Sequence, residues 1–458
     1  MSRGCNIGVL IGLTALLPHF ADPLFGQTGS VPERQLALVG GTIYTSPTDD
    51  PIRDGVVLIQ EGRIAAVGKG RSLKVPRGIE VLDCSGLTVT AGFWNSHVHF
   101  FEKKWADAAA IPAPELGRQL QDMVTRYGFT SVFDLGSMWE NTRRIRDRIE
   151  SGEVPGPRIR STGEALVAPG AVPPDTVIRM LGYMTSPSPE ITDAAQASAA
   201  SRKLLDAGVD GIKVHLQPPP PPGPPFPEGA IQAAVVDAHR AGKPVFVHPH
   251  SGADVLAAVR AGVDVIAHTT PRSGPWDGTI LTAMKERRVA LIPTLTVWKH
   301  LLRHDRMSAQ EQSVNTTIGQ LRAWLASGGT VLFGNDLGAV DYDPSEEYTL
   351  MAGAGMSFRQ ILASLTTAPA ERFGESQRLG RIAPGFTADL ILLGEDPSTN
   401  VRALASVRYT IRDGKVIYRT GDSPERPPLA AVRDRTDSLR ARPPPTVLGS
   451  RPTHGGTT

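Results

Sequence analysis

Two kinds of hydrophobic patterning divide the chain. Between residues 35 and 90, short apolar runs alternate with turn residues: QLALVGGTIYT is interrupted by Gly40 and Gly41, DGVVLIQEGRIAAVG turns at Glu61-Gly62, and EVLDCSGLTVT continues the pattern. Such runs predict strands, with a hairpin at Glu-Gly. The signature returns in GFTADLILLG and VRYTIRDGKVIYR, where Asp413-Gly414 is a tight-turn dipeptide. Two β segments flanking a long middle region predict one small β domain built from both chain ends, over residues 30–90 and 378–420.

The middle region repeats a different unit: a helical period, a glycine stop, then a short apolar run. IQAAVVDAHRAGKPVFVHPH puts Ile231, Ala234, Val235 and Ala238 on one helix face, stops at Gly242, and continues as a strand. SGADVLAAVRAGVDVIAHT repeats this with Val255, Leu256 and Val259, as does IGQLRAWLASGGTVLFGND with Leu321, Trp324 and Leu325. Glycine just past a helix, followed by a buried strand, is the unit of a parallel α/β sheet. Strands are expected near Phe93, Ser131, Ile159, Gly211, Val245, Val265, Leu291 and Val331. Eight such units over residues 91–377 predict a TIM (β/α)8 barrel. A doubly wound open sheet is the competing fold, but no GxGxxG follows the first strand.

The two ends read differently from the body. Arg3, an apolar run over residues 7–17, and small or polar residues through Gln27 have the layout of a signal peptide, over 1–29. That run is too short to span a bilayer, and export to the periplasm or medium is the expectation. Residues 421–458, rich in Pro, Arg and Ser, predict a disordered tail. Residues 218–227 hold eight prolines in ten positions and read as a stiff loop or a surface excursion.

Composition narrows the function classes. With 48 Lys plus Arg against 46 Asp plus Glu, the formal charge is +2, which gives no global electrostatic case for nucleic acid or an anionic membrane. Cys5 and Cys84 are too few for a disulfide framework or a thiolate zinc site. A homo-oligomer stays open.

The candidate chemistry sits at the predicted strand ends. His97 and His99 close the first strand, and residues two apart on a strand point the same way. Lys213 lies in the fourth strand, His248 ends the fifth, His268 the sixth and Asp336 the eighth. In a TIM barrel these ends converge on the face that carries active sites. Four histidines and an aspartate buried there are costly unless they coordinate metal.

With their flanks, these residues resemble the amidohydrolase superfamily, in its imidazolonepropionase-related and Xaa-dipeptidase-like branch. The resemblance is carried by DGVVLIQEGRIAAVG, LTVTAGFWNSHVHF, GFTSVFDLG, GVDGIKVHL, AHRAGKPVFVHPH, AGVDVIAHT, GNDLG and GRIAPGFTADLILL followed by RDGKVIY. It implies a metal-dependent TIM barrel with a β-sandwich from the two ends. It also implies that His97 and His99 bind a buried ion, His248 and His268 a more exposed one, and that Asp336 contacts the buried ion and the attacking water. Two divalent ions are implied, with zinc the expected metal. Lys213 would be carbamylated, becoming a bridging anion; an unmodified lysine beside a single ion is the alternative. Hydrolysis of a carbon–nitrogen bond in a small molecule or dipeptide follows, with Asp336 as the proton carrier.

Departures from the family pattern qualify the substrate. GND over 334–336 stands where GTD is more usual, His215 replaces an apolar residue, and His250 follows His248. His215 and His250 are candidate substrate contacts, with hydrogen-bonded loop histidines as the alternative. Asp134 reads as ordering a strand end, and Trp276, Trp298 and Phe333 as packing. A lactonase or phosphoesterase on the same site is the runner-up. A mononuclear deaminase needs an acid near His248, where only Asp254 is available.

Overall fold

The computed structural model describes residues 35–171, 188–218, 225–301 and 306–421. The expected signal segment, the tail beyond 421, and positions 219–224 of the proline-rich stretch lie outside them.

The strands run in chain order as the patterning predicts. From the N-terminal side come β1 (Gln35–Ile43), β2 (Ile52–Gln60), β3 (Arg63–Lys69), β4 (Glu80–Asp83) and β5 (Thr88–Ala91). The middle region supplies β6 (Phe93–Val98), β7 (Phe129–Asp134), β8 (Arg158–Ser161) and β9 (Leu166–Val167). It continues with β10 (Ile212–His215), β11 (Val245–His248), β12 (Val265–Ala267) and β13 (Ala290–Ile292). Last are β14 (Leu390–Leu393), β15 (Val407–Arg412) and β16 (Lys415–Arg419).

Both ends build one sheet, in the order β16-β15-β14-β5-β1-β2-β3, with β4 also on β1. Its hairpin turns are as expected. Glu61 (φ 47°) with Gly62 (φ 73°), and Asp413 (φ 49°) with Gly414 (φ 71°), have the two positive φ values of a tight hairpin turn. The expected sandwich is one hydrogen-bonded, branched sheet. Gly40 (φ 88°) and the register shifts beside Gly41 break β1, so Leu36–Val39 pairs with β4 while Thr42 and Ile43 pair with β5. One face buries Leu38, Val57, Ile59, Val89, Leu392 and Ile411.

The middle region is TIM-barrel-like but does not form a continuous closed ladder. Its parallel strands fall into a three-stranded sheet, β6-β7-β8, and a five-stranded sheet, β13-β12-β11-β10-β9. The backbone N–H of Asp210 donates to Ser161 across the gap between them (2.7 Å). The expected eighth strand is reduced to isolated bridges, Leu291 to Val331 and Val98 to Leu337, plus Ser96 N–H to the Phe333 carbonyl (2.8 Å). The physical reason lies just beyond Phe333: Asp336 takes φ 61°, which ends any extended ladder there.

Helices follow the strands where the periodicity placed them. Glu228–Arg240 buries Ile231, Ala234 and Ala238, Gly252–Ala261 buries Val255 and Val259, and Met307–Ala326 buries Leu321 and Trp324. Each large apolar side chain so buried contributes about 1.5–3 kcal/mol. Inside the strands, Trp94, Phe133, Phe246, Ala290, Ile292 and Leu332 fill the centre, with Phe373 packed against the first three rings. The interior is a core, which leaves the strand ends as the place for chemistry. Among the described residues, no helix is long and apolar enough to cross a membrane.

Candidate metal centre

His97 is the fifth residue of β6, and His99 follows one position past its end, so the period of two aims both imidazoles one way. Their Nε2 atoms stand 3.2 Å apart. Asp336 Oδ1 lies 3.3 Å from His97 Nε2 and 2.8 Å from His99 Nε2. One ligand atom from each of the three falls within 4.8 Å of the others, with His97 and Asp336 buried and His99 half-buried. Gly334 makes the approach possible: a Cβ there would lie 2.5 Å from Ile292 Cγ2 and 2.8 Å from His97 Cβ. Asp336 itself holds the left-handed conformation, the kind of backbone strain that gathers at functional sites.

Lys213, His215, His248 and His268 extend the cluster from these three. Lys213 and His215 lie two apart on β10, and the register sets His215 beside His248 of β11. Their rings stack with centroids 4.0 Å apart. His248 reaches His268 at 4.3 Å between centroids, and His268 reaches His97 at 4.7 Å. His268, like Asp336, is non-glycine at positive φ (83°).

Electrostatics keep the most buried imidazoles of this cluster neutral. Burial, reinforced by neighbouring histidines and Lys213, holds His97, His248 and His268 well below the usual histidine range, so their lone pairs stay available. His215 is lowered to about 3 for the same reasons. Burial brings the Lys213 amine down to about 7, against the opposing pull of Asp336. Lys213 Nζ and the Nδ1 atoms of His97 and His99 are buried with no hydrogen-bond partner among the described residues. Neutral imidazoles around a carboxylate and an unpartnered amine form a donor set that fits a divalent cation, whereas leaving it empty is costly.

His250 donates its backbone N–H to Asp254 Oδ2 (3.0 Å), and Asp254 also accepts from Ser251 in the capping box of the helix Gly252–Ala261. Asp254 is therefore tied into the start of that helix, with Ser251 as its N-cap. Asp134 accepts from Ser137, Thr142 and Ser161, ordering the end of β7 as expected. Phe333 and Trp276 are buried packing residues, but Trp298 is not. It is half-buried, 6.0 Å from the His268 ring, and donates Nε1–H to Thr269 (3.0 Å), so it borders the site.

Several site residues were not legible in the sequence. Asn95 Nδ2 donates to Asn335 Oδ1 (2.7 Å), while Asn95 Oδ1 accepts from the backbone of His97 (3.2 Å). Phe101 stacks on His99 at 4.5 Å. Tyr342 donates to Glu102 (2.6 Å to Oε1), and Lys104 pairs with the same carboxylate (2.8 Å), joining the loops after β6 and after Asp336. Asn95, two residues before His97 and on its face of the strand, was the one signal period-two reasoning could have used.

Comparison with known proteins bears on the fold and the family. Over 444 aligned residues the chain is 22% identical to ochratoxinase of Aspergillus niger, covering 86% of this chain and 89% of that protein. A solved Xaa-Pro dipeptidase with bound methionine superposes with a TM-score of 0.72 at 23% identity, over 84% of this chain and all of that one. A putative prolidase from Bifidobacterium longum gives 0.72 at 24% identity, over 85% and 96%. Those two likenesses establish the fold. Residues 88–417, which hold every histidine, lysine and aspartate of the cluster, match the amidohydrolase family, and the chain belongs to it.

Proposed function

We propose that the protein is a metal-dependent hydrolase of a carbon–nitrogen bond, in an amide, cyclic amide or dipeptide. Two divalent ions, zinc by our reading, would be held by His97, His99, Lys213, His248, His268 and Asp336. The observation that carries the reading is the convergence of these six residues, with an unpartnered buried amine among neutral imidazoles. Ions bound there supply positive charge that acidifies a water molecule and polarises a carbonyl.

The protein's own groups do the rest. Lys213, lowered to about 7, is substantially neutral near neutrality, and a neutral amine adds to the carbon of carbon dioxide with loss of one proton. The product is an anion with two oxygens, suited to lie between two cations. The Asp336 carboxylate, against His97 and His99, takes a proton from the attacking water and returns it to the leaving nitrogen. Stacked on His248, His215 supports that ring, and His250, further along the loop, is the proposed substrate contact. Trp298 beside His268 and Phe101 stacked on His99 put aromatic surface next to these two histidines. Relatives named ochratoxinase and Xaa-Pro dipeptidase support an amide or dipeptide over a lactone or phosphoester. The proposal includes export, from the layout of residues 1–29.

Zinc-loaded protein assayed on dipeptides, N-acyl amino acids, cyclic amides, lactones and phosphoesters tests the reading. Release of free amine from members of the first three classes supports it. Turnover confined to lactones or phosphoesters contradicts it.

A further inference from the structure

Glu347 is fully buried and has no salt-bridge partner among the described residues, yet its carboxylate is heavily used. It accepts hydrogen bonds from the backbone N–H groups of Leu295 and Thr296 (2.8 Å each) and from the Thr296 hydroxyl (2.7 Å). These three donors belong to the first turn of the helix Leu295–Leu301. The residue before that helix is Thr294, a β-branched residue at φ 45° with no solvent exposure. Such a conformation costs of order 1–3 kcal/mol and persists only where the surroundings impose it. Thr294 Oγ1 lies 2.6 Å from His268 Nδ1. Three residues into the helix, Trp298 stands beside the same imidazole.

We propose that Glu347 is a positioning residue for His268, acting through Thr294. By fixing Leu295 and Thr296 it holds Thr294 in the left-handed conformation, and the Thr294 hydroxyl sets the orientation of the imidazole and which nitrogen bears its proton. An Nδ1–H given to Thr294 leaves the Nε2 lone pair free for a ligand. A buried carboxylate is an expensive way to cap a two-turn helix. Its two oxygens between them accept all three donors, however, whereas a glutamine would turn its amide N–H2 towards at least one of them. A carboxylate at this position is accounted for when the capped turn carries a ligand-orienting group. This inference rests on His268 being a metal ligand, as proposed above.

The test measures zinc affinity by competition with a chelating dye, with melting temperature recorded for each full-length variant. Glu347→Gln, isosteric and neutral, should bind one zinc ion at parent affinity and the other about ten- to a hundredfold more weakly, the range for residues that orient a metal ligand. Thr294→Ala should do the same. The double variant should be no weaker than Thr294→Ala alone, because both act on one hydrogen bond. Two ions bound at parent affinity by Glu347→Gln, or effects that multiply in the double variant, would overturn the proposal. Should Glu347→Gln fail to fold, Thr296→Ala removes one of the same three bonds and is judged by the same criteria. His268→Ala separates the levels. If it loses one ion while Glu347→Gln binds as the parent does, the positioning role alone is wrong; if it keeps both, ligand assignment and positioning role fall together.

Discussion

Asn95 and Asn335 meet in the core, 240 positions apart in sequence, the Asn95 amide donating to the Asn335 carbonyl at 2.7 Å. The two lie two residues before His97 and one before Asp336, so a single buried bond ties together the segments that carry the histidine pair and the carboxylate. The free Asn95 oxygen takes the backbone N–H of His97. The asparagine at 335, a departure from the family's usual threonine, has a partner in Asn95.

Asn95→Ala leaves both a buried amide and a backbone N–H unpaired, which should cost about 1–3 kcal/mol of stability. It should also weaken zinc binding at His97 and His99 about tenfold. Denaturant unfolding and zinc competition measure the two effects, and unchanged affinity would detach the asparagine pair from the site.

Lys213→Ala removes the proposed bridging anion. Bound zinc should fall from about two ions per chain towards one, with hydrolysis largely lost. Short carboxylic acids added to this variant should restore part of the activity. Two ions and parental turnover in Lys213→Ala would show the lysine to be structural.

Asp336→Asn preserves size and one coordinating oxygen but cannot carry the proton. Metal content should be largely retained while turnover falls about a hundredfold or more, the scale of general acid–base catalysis. Full activity on an amide would move the proton to another group, with His250 the next to examine.

Much of this was legible because it is local. Hairpin turns at Glu61-Gly62 and Asp413-Gly414, helices stopped by glycine, and ligands at the ends of apolar runs each follow from a few neighbouring residues. The eighth strand was not, because whether Val331 and Leu332 form a ladder depends on the turn that Asp336 makes beyond them. Nor was Glu347, which reads as one more acid on an exposed helix face until helix Ser345–Gly353 lays it against Leu295 and Thr296. Trp298 looked like core because its neighbours Val297 and Leu295 are core.

Glu347 also predicts a pH dependence. An exposed glutamate titrates near 4.3, whereas burial, with a smaller push from Glu346, lifts this one to about 7. The folded protein therefore holds the proton more tightly, and the contribution to stability is full below about pH 4.3 and is lost as pH rises through about 7. In metal-free protein, the melting temperature of the parent relative to Glu347→Gln should fall between pH 5 and pH 8. A difference that stays constant across that range would mean Glu347 titrates normally.

Metal analysis of the purified protein, paired with amide hydrolysis before and after chelation, bears most directly on the proposed chemistry. About two zinc ions per chain, hydrolysis abolished when they are stripped, and hydrolysis regained on adding zinc are the expected results. Amide hydrolysis that continues undiminished in protein freed of metal would contradict it.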